Sequence, residues 1–110
     1  MHPVSLSDVL RDVALERSNQ DRKYGEQNHP DGTCRKTYWI AAKNARTEYE
    51  IAATAHHGGL TWAHVLREEV YEALEEEDPA ALRAELVQIA AVAIAWIECL
   101  DRRHRWGVGK

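Results

Sequence analysis

Seven acidic residues crowd one short stretch of the chain: Glu68, Glu69, Glu72, Glu75, Glu76, Glu77 and Asp78. On a helix turning about 100° per residue, Leu66, Val70, Ala73 and Leu74 share an apolar stripe. Glu69 and Glu72 then fall on the shoulder of that stripe, beside Trp62 and Val65, while Glu68 and Glu75 lie further toward solvent. A second acidic position, Glu85, stands three residues before Gln88 at the edge of the apolar run Leu86 to Ile97. Asp78-Pro79 is the only break between the two segments, and so short a link predicts an antiparallel hairpin of helices. Folding the chain about that link sets Glu72 opposite Glu85 and Glu69 opposite Gln88. Carboxylates so placed repel one another unless a cation neutralises them or one holds a proton. Oxygen-only ligands of this kind suit Mg2+ or Mn2+. The matching chemistry is phosphoryl transfer or phosphate-ester hydrolysis. The same residues also read as a solvated acidic helix end. Glu98-Cys99-Leu100-Asp101 repeats the spacing, but Glu98 lies 13 residues beyond Glu85, about 20 Å along a straight helix, and cannot share an ion with Glu72.

A phosphate substrate needs cations. Lys43 and Arg46 are spaced i,i+3, with Arg35 and Lys36 before them, and they are the substrate-binding candidates. Ordinary surface charge is the competing reading. Gln27, Asn28 and His29 lie in a long polar loop, 25–36, suited to closing over a base or ribose or to forming a structural Ω-loop. His56, His57 and His64 lack the paired spacing and flanking Cys of a zinc site. His29-Pro30-Asp31 has no activated Ser to accompany it. Arg102, Arg103, His104 and Arg105 read as a nucleic-acid contact or, as cations at a helix C-terminus, as complements of its dipole. Cys34 reads as an exposed loop thiol and Cys99 as a helix-packing residue.

Positioning these residues takes four helices, over 6–24, 37–56, 61–77 and 79–103, with a loose tail over 104–110. Ser7 is the expected N-cap of the first, with Asp8 in its first turn and Gly25 just past its end. Pro30-Asp31-Gly32 is a turn signal, because Pro fixes φ and Gly accepts positive φ. Tyr38, Ala41, Ala42, Ala45, Tyr49 and Ala52 make the apolar face of the second helix, whose small residues allow close helix approach. Thr61 caps the third, and Asp78 caps the fourth with Pro79 at its first position. The run Leu86 to Ile97 is apolar on nearly all sides, which predicts a central helix covered in a homodimer or higher homo-oligomer.

The pattern resembles the MazG-like family of all-α nucleoside triphosphate pyrophosphohydrolases, related to dimeric dUTPases. Its signature is EExxE followed, after a gap, by ExxD. Glu68-Glu69-x-x-Glu72 matches the first half, and Glu85-Leu86-Val87-Gln88 matches the second except that Gln88 stands where the family has Asp. The motif covers roughly 62–101. The resemblance implies an all-α, four-helix bundle-like MazG-type domain over 1–110. It implies Glu69, Glu72 and Glu85 as catalytic metal ligands, Gln88 as a weakened fourth ligand and Glu68 in support. The implied reaction is Mg2+-dependent hydrolysis of a (deoxy)nucleoside triphosphate to the monophosphate and pyrophosphate, through metal-activated water attacking the α-phosphorus. A non-catalytic helical interaction module, or a nucleotide-binding module with a degenerate metal site, is the alternative.

Composition is consistent with either. The 110 residues are 45% hydrophobic and 29% charged, an ordinary globular balance for one domain. A net charge of −4 argues against a nucleic-acid-coating role, which wants a basic face. Two cysteines make no disulfide framework. The first residues lack the basic-then-apolar pattern of a secretory signal, and the apolar run is shorter than the ~20 residues of a membrane span. The expectation is a cytoplasmic protein with no membrane partner.

Overall fold

The computed structural model describes residues 5–55 and 58–104, so the expectations for His56, His57 and the tail from Arg105 onward lie outside the described residues. Those residues form four helices and no strand: α1 Leu6–Tyr24, α2 Arg35–Thr54, α3 Trp62–Glu75 and α4 Pro79–His104. The all-α expectation holds, and His104, assigned to the tail, is the last residue of α4.

Most helix ends follow local chemistry. Ser5, not Ser7, caps α1: its hydroxyl accepts the Asp8 backbone N–H at 3.1 Å, and Ser7 is already helical. Gly25 ends α1 at φ 68°, where its N–H donates to the Asp21 carbonyl. Thr61 caps α3 by accepting the His64 N–H, and His64 Nδ1 in turn accepts the Thr61 N–H at 3.2 Å, a capping box closed by His. Asp78 caps α4 through Oδ2, which accepts the Ala81 N–H at 2.9 Å. Such a cap contributes about 1 kcal/mol.

The second helix starts two residues earlier than periodicity predicts, at Arg35. Its N-cap is Cys34, which makes no side-chain cap bond. The Cys34 backbone N–H instead donates to the Leu74 carbonyl near the end of α3, at 2.9 Å. Cys34 is therefore a half-buried helix start rather than an exposed loop thiol.

The chain divides into two compact units, one of Asp31–Ala93 and one joining Met1–Pro30 with Ile94–Lys110. In the first, α2 packs on α3. The expected small-residue face of α2 is what is buried: Ala42, Ala45 and Ala52, with Tyr38, Ala41 and Tyr49 half-buried beside them. Alanine at these positions lets two backbones approach closely, since no side chain beyond Cβ separates them. Ala73 of α3 and Leu82 of α4 complete the buried set of this unit. An ion pair between Arg67 of α3 and Glu48 of α2 flanks it, and the Arg67 guanidinium lies 5.8 Å from the Tyr71 ring centre. In the second unit Val9 is the buried side chain of α1.

Helix α4 begins in one unit and ends in the other. Leu86 and Val87 on it are 51% and 53% exposed. Trp39, Ile40 and Ile51 of α2 are also exposed. One expectation is revised here. The apolar run by itself is short, but the helix carrying it has 26 residues and an 18-residue window of mean hydropathy 1.6, which is long and apolar enough to cross a membrane by length and composition.

Candidate metal centre

Three carboxylates of α3, from Glu68, Glu69 and Glu72, have oxygens within 4.8 Å of one another. The i,i+1 and i,i+4 spacings of a single helix put them there: Glu68 and Glu72 stack one turn apart, and Glu69 flanks both. All three are half-buried. Glu68 is thus a full member of the cluster, not the solvent-facing residue that the helix projection gives.

The fourth carboxylate comes from α4. A link of three residues, Glu76 to Asp78, joins α3 to α4, and the charge of Glu85 on α4 acts on Glu69. The third helix ends at Glu75, two residues before the expected end, and Glu76 adopts extended backbone at φ −81° and ψ 124°, so the chain turns before Asp78-Pro79. Pro79 also disfavours helical backbone at Asp78. Gln88 lies one turn beyond Glu85 and is exposed.

Electrostatics follow from this crowding. Burial, then the charges of Glu72 and Glu69, hold the Glu68 carboxyl above the usual carboxylate range. Burial, then the charges of Glu72 and Glu85, do the same for Glu69. The carboxylates therefore carry an unfavourable concentration of negative charge that a proton or a cation relieves.

One cation of the protein already approaches. Arg46, from α2, places Nε 3.9 Å from Glu72 Oε1 and Nη2 3.8 Å from Glu75 Oε1. Of the two substrate-binding candidates, Arg46 is therefore drawn to the carboxylates, while Lys43, one turn earlier, is exposed. Glu75 is not directed away from the site: its side chain is 21% exposed and paired. This second cationic feature, and the early fold-back, are what sequence reasoning missed. The approach of Arg46 depends on how α2 is rotated against α3, which the period of a single helix does not report.

The first part of the polar loop, through Pro30, belongs to the other unit. Gly25, Glu26 and Gln27 line an open polar cleft of about 740 Å³ with Arg17, Gln20 and Asp21. Asn28 donates to Glu26 at 2.9 Å, and His29 is 3.2 Å from Gln27, so these side chains are satisfied within the loop. His64 is engaged in the α3 cap.

No family model, curated protein or solved structure matches the chain.

Proposed function

We propose that this protein is a Mg2+- or Mn2+-dependent nucleoside triphosphate pyrophosphohydrolase, converting a (d)NTP to the monophosphate and pyrophosphate. The observation that carries the reading is the gathering of Glu68, Glu69 and Glu72 within 4.8 Å, with Glu85 brought to Glu69 from a second helix. The donor set fits a hard divalent cation: it is all oxygen, anionic, half-buried and open to ligands from outside. Glu69, Glu72 and Glu85 are assigned as ligands, as the resemblance implies, and the geometry favours adding Glu68. Gln88 is the weakened fourth ligand that the resemblance implies. When bound, the ion would supply positive charge that lowers the pKa of a coordinated water and neutralises phosphate oxygens.

The chain's own residues do the rest. A carboxylate of this set that is not bound to the ion would accept a proton from the attacking water. Arg46 and Lys43 stand on the α2 side and would meet the phosphates. The MazG-type hairpin of α3 and α4 keeps the two acidic helices together through the short link. A cytoplasmic setting and a second copy of the chain over the exposed apolar residues of α2 and α4 complete the reading.

The exposed Trp39, Ile40, Leu86 and Val87 also favour a second reading, a non-catalytic helical interaction module. A panel of NTPs and dNTPs with Mg2+ or Mn2+, assayed for pyrophosphate, separates the two. Wild type releases pyrophosphate from at least one nucleotide and Glu72→Gln does not. No release by well-folded wild type from any nucleotide favours the interaction module.

A further inference from the structure

We propose that Arg46 is the built-in counter-ion of the acidic centre, and that it competes with the divalent cation for Glu72. The inference rests on the metal-centre reading above and adds a regulation to it: the charge on α2 sets how much free cation the site needs.

Arg46 belongs to α2, whereas the carboxylates it approaches belong to α3. It spans Glu72, a member of the three-carboxylate cluster, and Glu75, one turn further from it. Both separations exceed hydrogen-bond distance, at 3.9 and 3.8 Å, so the guanidinium is held by charge and not by a bidentate fork. The Arg46 side chain is 46% exposed. Exposed ion pairs of this kind are weak and cost little to break. A guanidinium so weakly held leaves these carboxylates at small cost.

Two consequences follow. With no divalent ion, Arg46 partly neutralises Glu72 and lowers the repulsion within the cluster. With a divalent ion on Glu72, Arg46 meets like charge and is released from that carboxylate. A guanidinium so freed is suited to the oxygens of a phosphate chain. Metal binding then prepares the phosphate contact, and by linkage an anion that captures Arg46 raises metal affinity.

The test is direct titration of the metal-free protein with Mn2+, following free Mn2+ by electron paramagnetic resonance, for wild type, Arg46→Gln and Arg46→Lys. A unit charge several ångströms from a divalent ion, in water-like dielectric with salt screening, changes affinity about three- to tenfold. Arg46→Gln therefore binds Mn2+ about three- to tenfold more tightly than wild type, and Arg46→Lys, which keeps the charge, stays within about twofold of it. A purely structural Arg46 would lower the melting temperature of Arg46→Gln and leave Mn2+ affinity unchanged. Equal Mn2+ affinity in wild type and Arg46→Gln overturns the counter-ion role and leaves the metal centre standing. No Mn2+ binding by any of the three proteins overturns the metal centre, and this inference with it.

Discussion

Replacing Glu69 by Gln should raise stability without metal and lower it with metal, reversing the order of the two proteins. Glu69 has Glu68 and Glu72 within 4.8 Å on its own helix and Glu85 opposite. Two unit charges at that separation repel by about 0.9 kcal/mol in bulk-water dielectric. The cluster is only half-buried, so that figure is closer than the several-fold larger interior value, and salt reduces it further. Removing one charge from several such pairs stabilises the metal-free protein by about 1 kcal/mol. For a chain of this size that is about 4 °C in Tm. Divalent ion acts oppositely: at a free concentration ten times its Kd it stabilises wild type by about 1.4 kcal/mol. Glu69→Gln loses most of that. Differential scanning calorimetry of both proteins, in chelator and in 10 mM Mg2+, reads the crossing. A Glu69→Gln protein that is less stable in chelator, with an unchanged response to Mg2+, would refute the reasoning and make Glu69 a structural partner of Glu85.

Further outcomes follow from the same structure. Raised carboxyl pKa values at Glu68 and Glu69 mean that the folded state binds more protons than the unfolded chain above the ordinary carboxylate value of ~4.3. Metal-free stability therefore rises as pH falls from 7 toward about 5, and saturating Mg2+ flattens or inverts that slope; urea midpoints across the range check it. A Cβ on Gly59 would sit 2.7 Å from the Ala55 Cβ and 3.0 Å from the Ala52 carbonyl oxygen. Gly59→Ala should accordingly cost about 1–3 kcal/mol, measured by urea unfolding, whereas Gly32→Ala meets no neighbour and pays only for its positive φ. Leu86 and Val87 are exposed on an otherwise apolar helix. Sedimentation should give a dimer or larger species for wild type at micromolar concentration, and a monomer for Leu86→Lys/Val87→Lys. Partition of wild type into lipid vesicles would instead assign that face to a membrane.

Much of this arrangement was legible in the residues. The alanine stripe of α2 predicts its own burial, because small residues at helical spacing leave room for nothing but another backbone. Thr61 and Asp78 mark helix starts through side chains that accept the next turn's N–H groups. Cys34 does not, since a thiol is a poor cap, and α2 is begun instead by a backbone bond to Leu74, 40 residues away in sequence. The acidic centre was half legible. Glu69, Glu72 and Glu85 stand out by type and spacing, but their pairing depends on where α3 ends. Symmetry about Asp78-Pro79 assumes helix up to that link. Three residues, Glu76 to Asp78, are non-helical instead, and Gln88 is exposed. The approach of Arg46 was not legible at all, because it needs the rotation of α2 against α3.

The central claim is hydrolysis at the α-phosphorus by a centre built on Glu68, Glu69, Glu72 and Glu85. Hydrolysis of a nucleoside triphosphate in H2(18)O with Mg2+, with products resolved by mass spectrometry, tests it most directly. Attack at the α-phosphorus puts one 18O atom in the nucleoside monophosphate and leaves the pyrophosphate unlabelled. Nucleoside diphosphate with labelled inorganic phosphate, or no conversion by folded protein in saturating Mg2+, would contradict it.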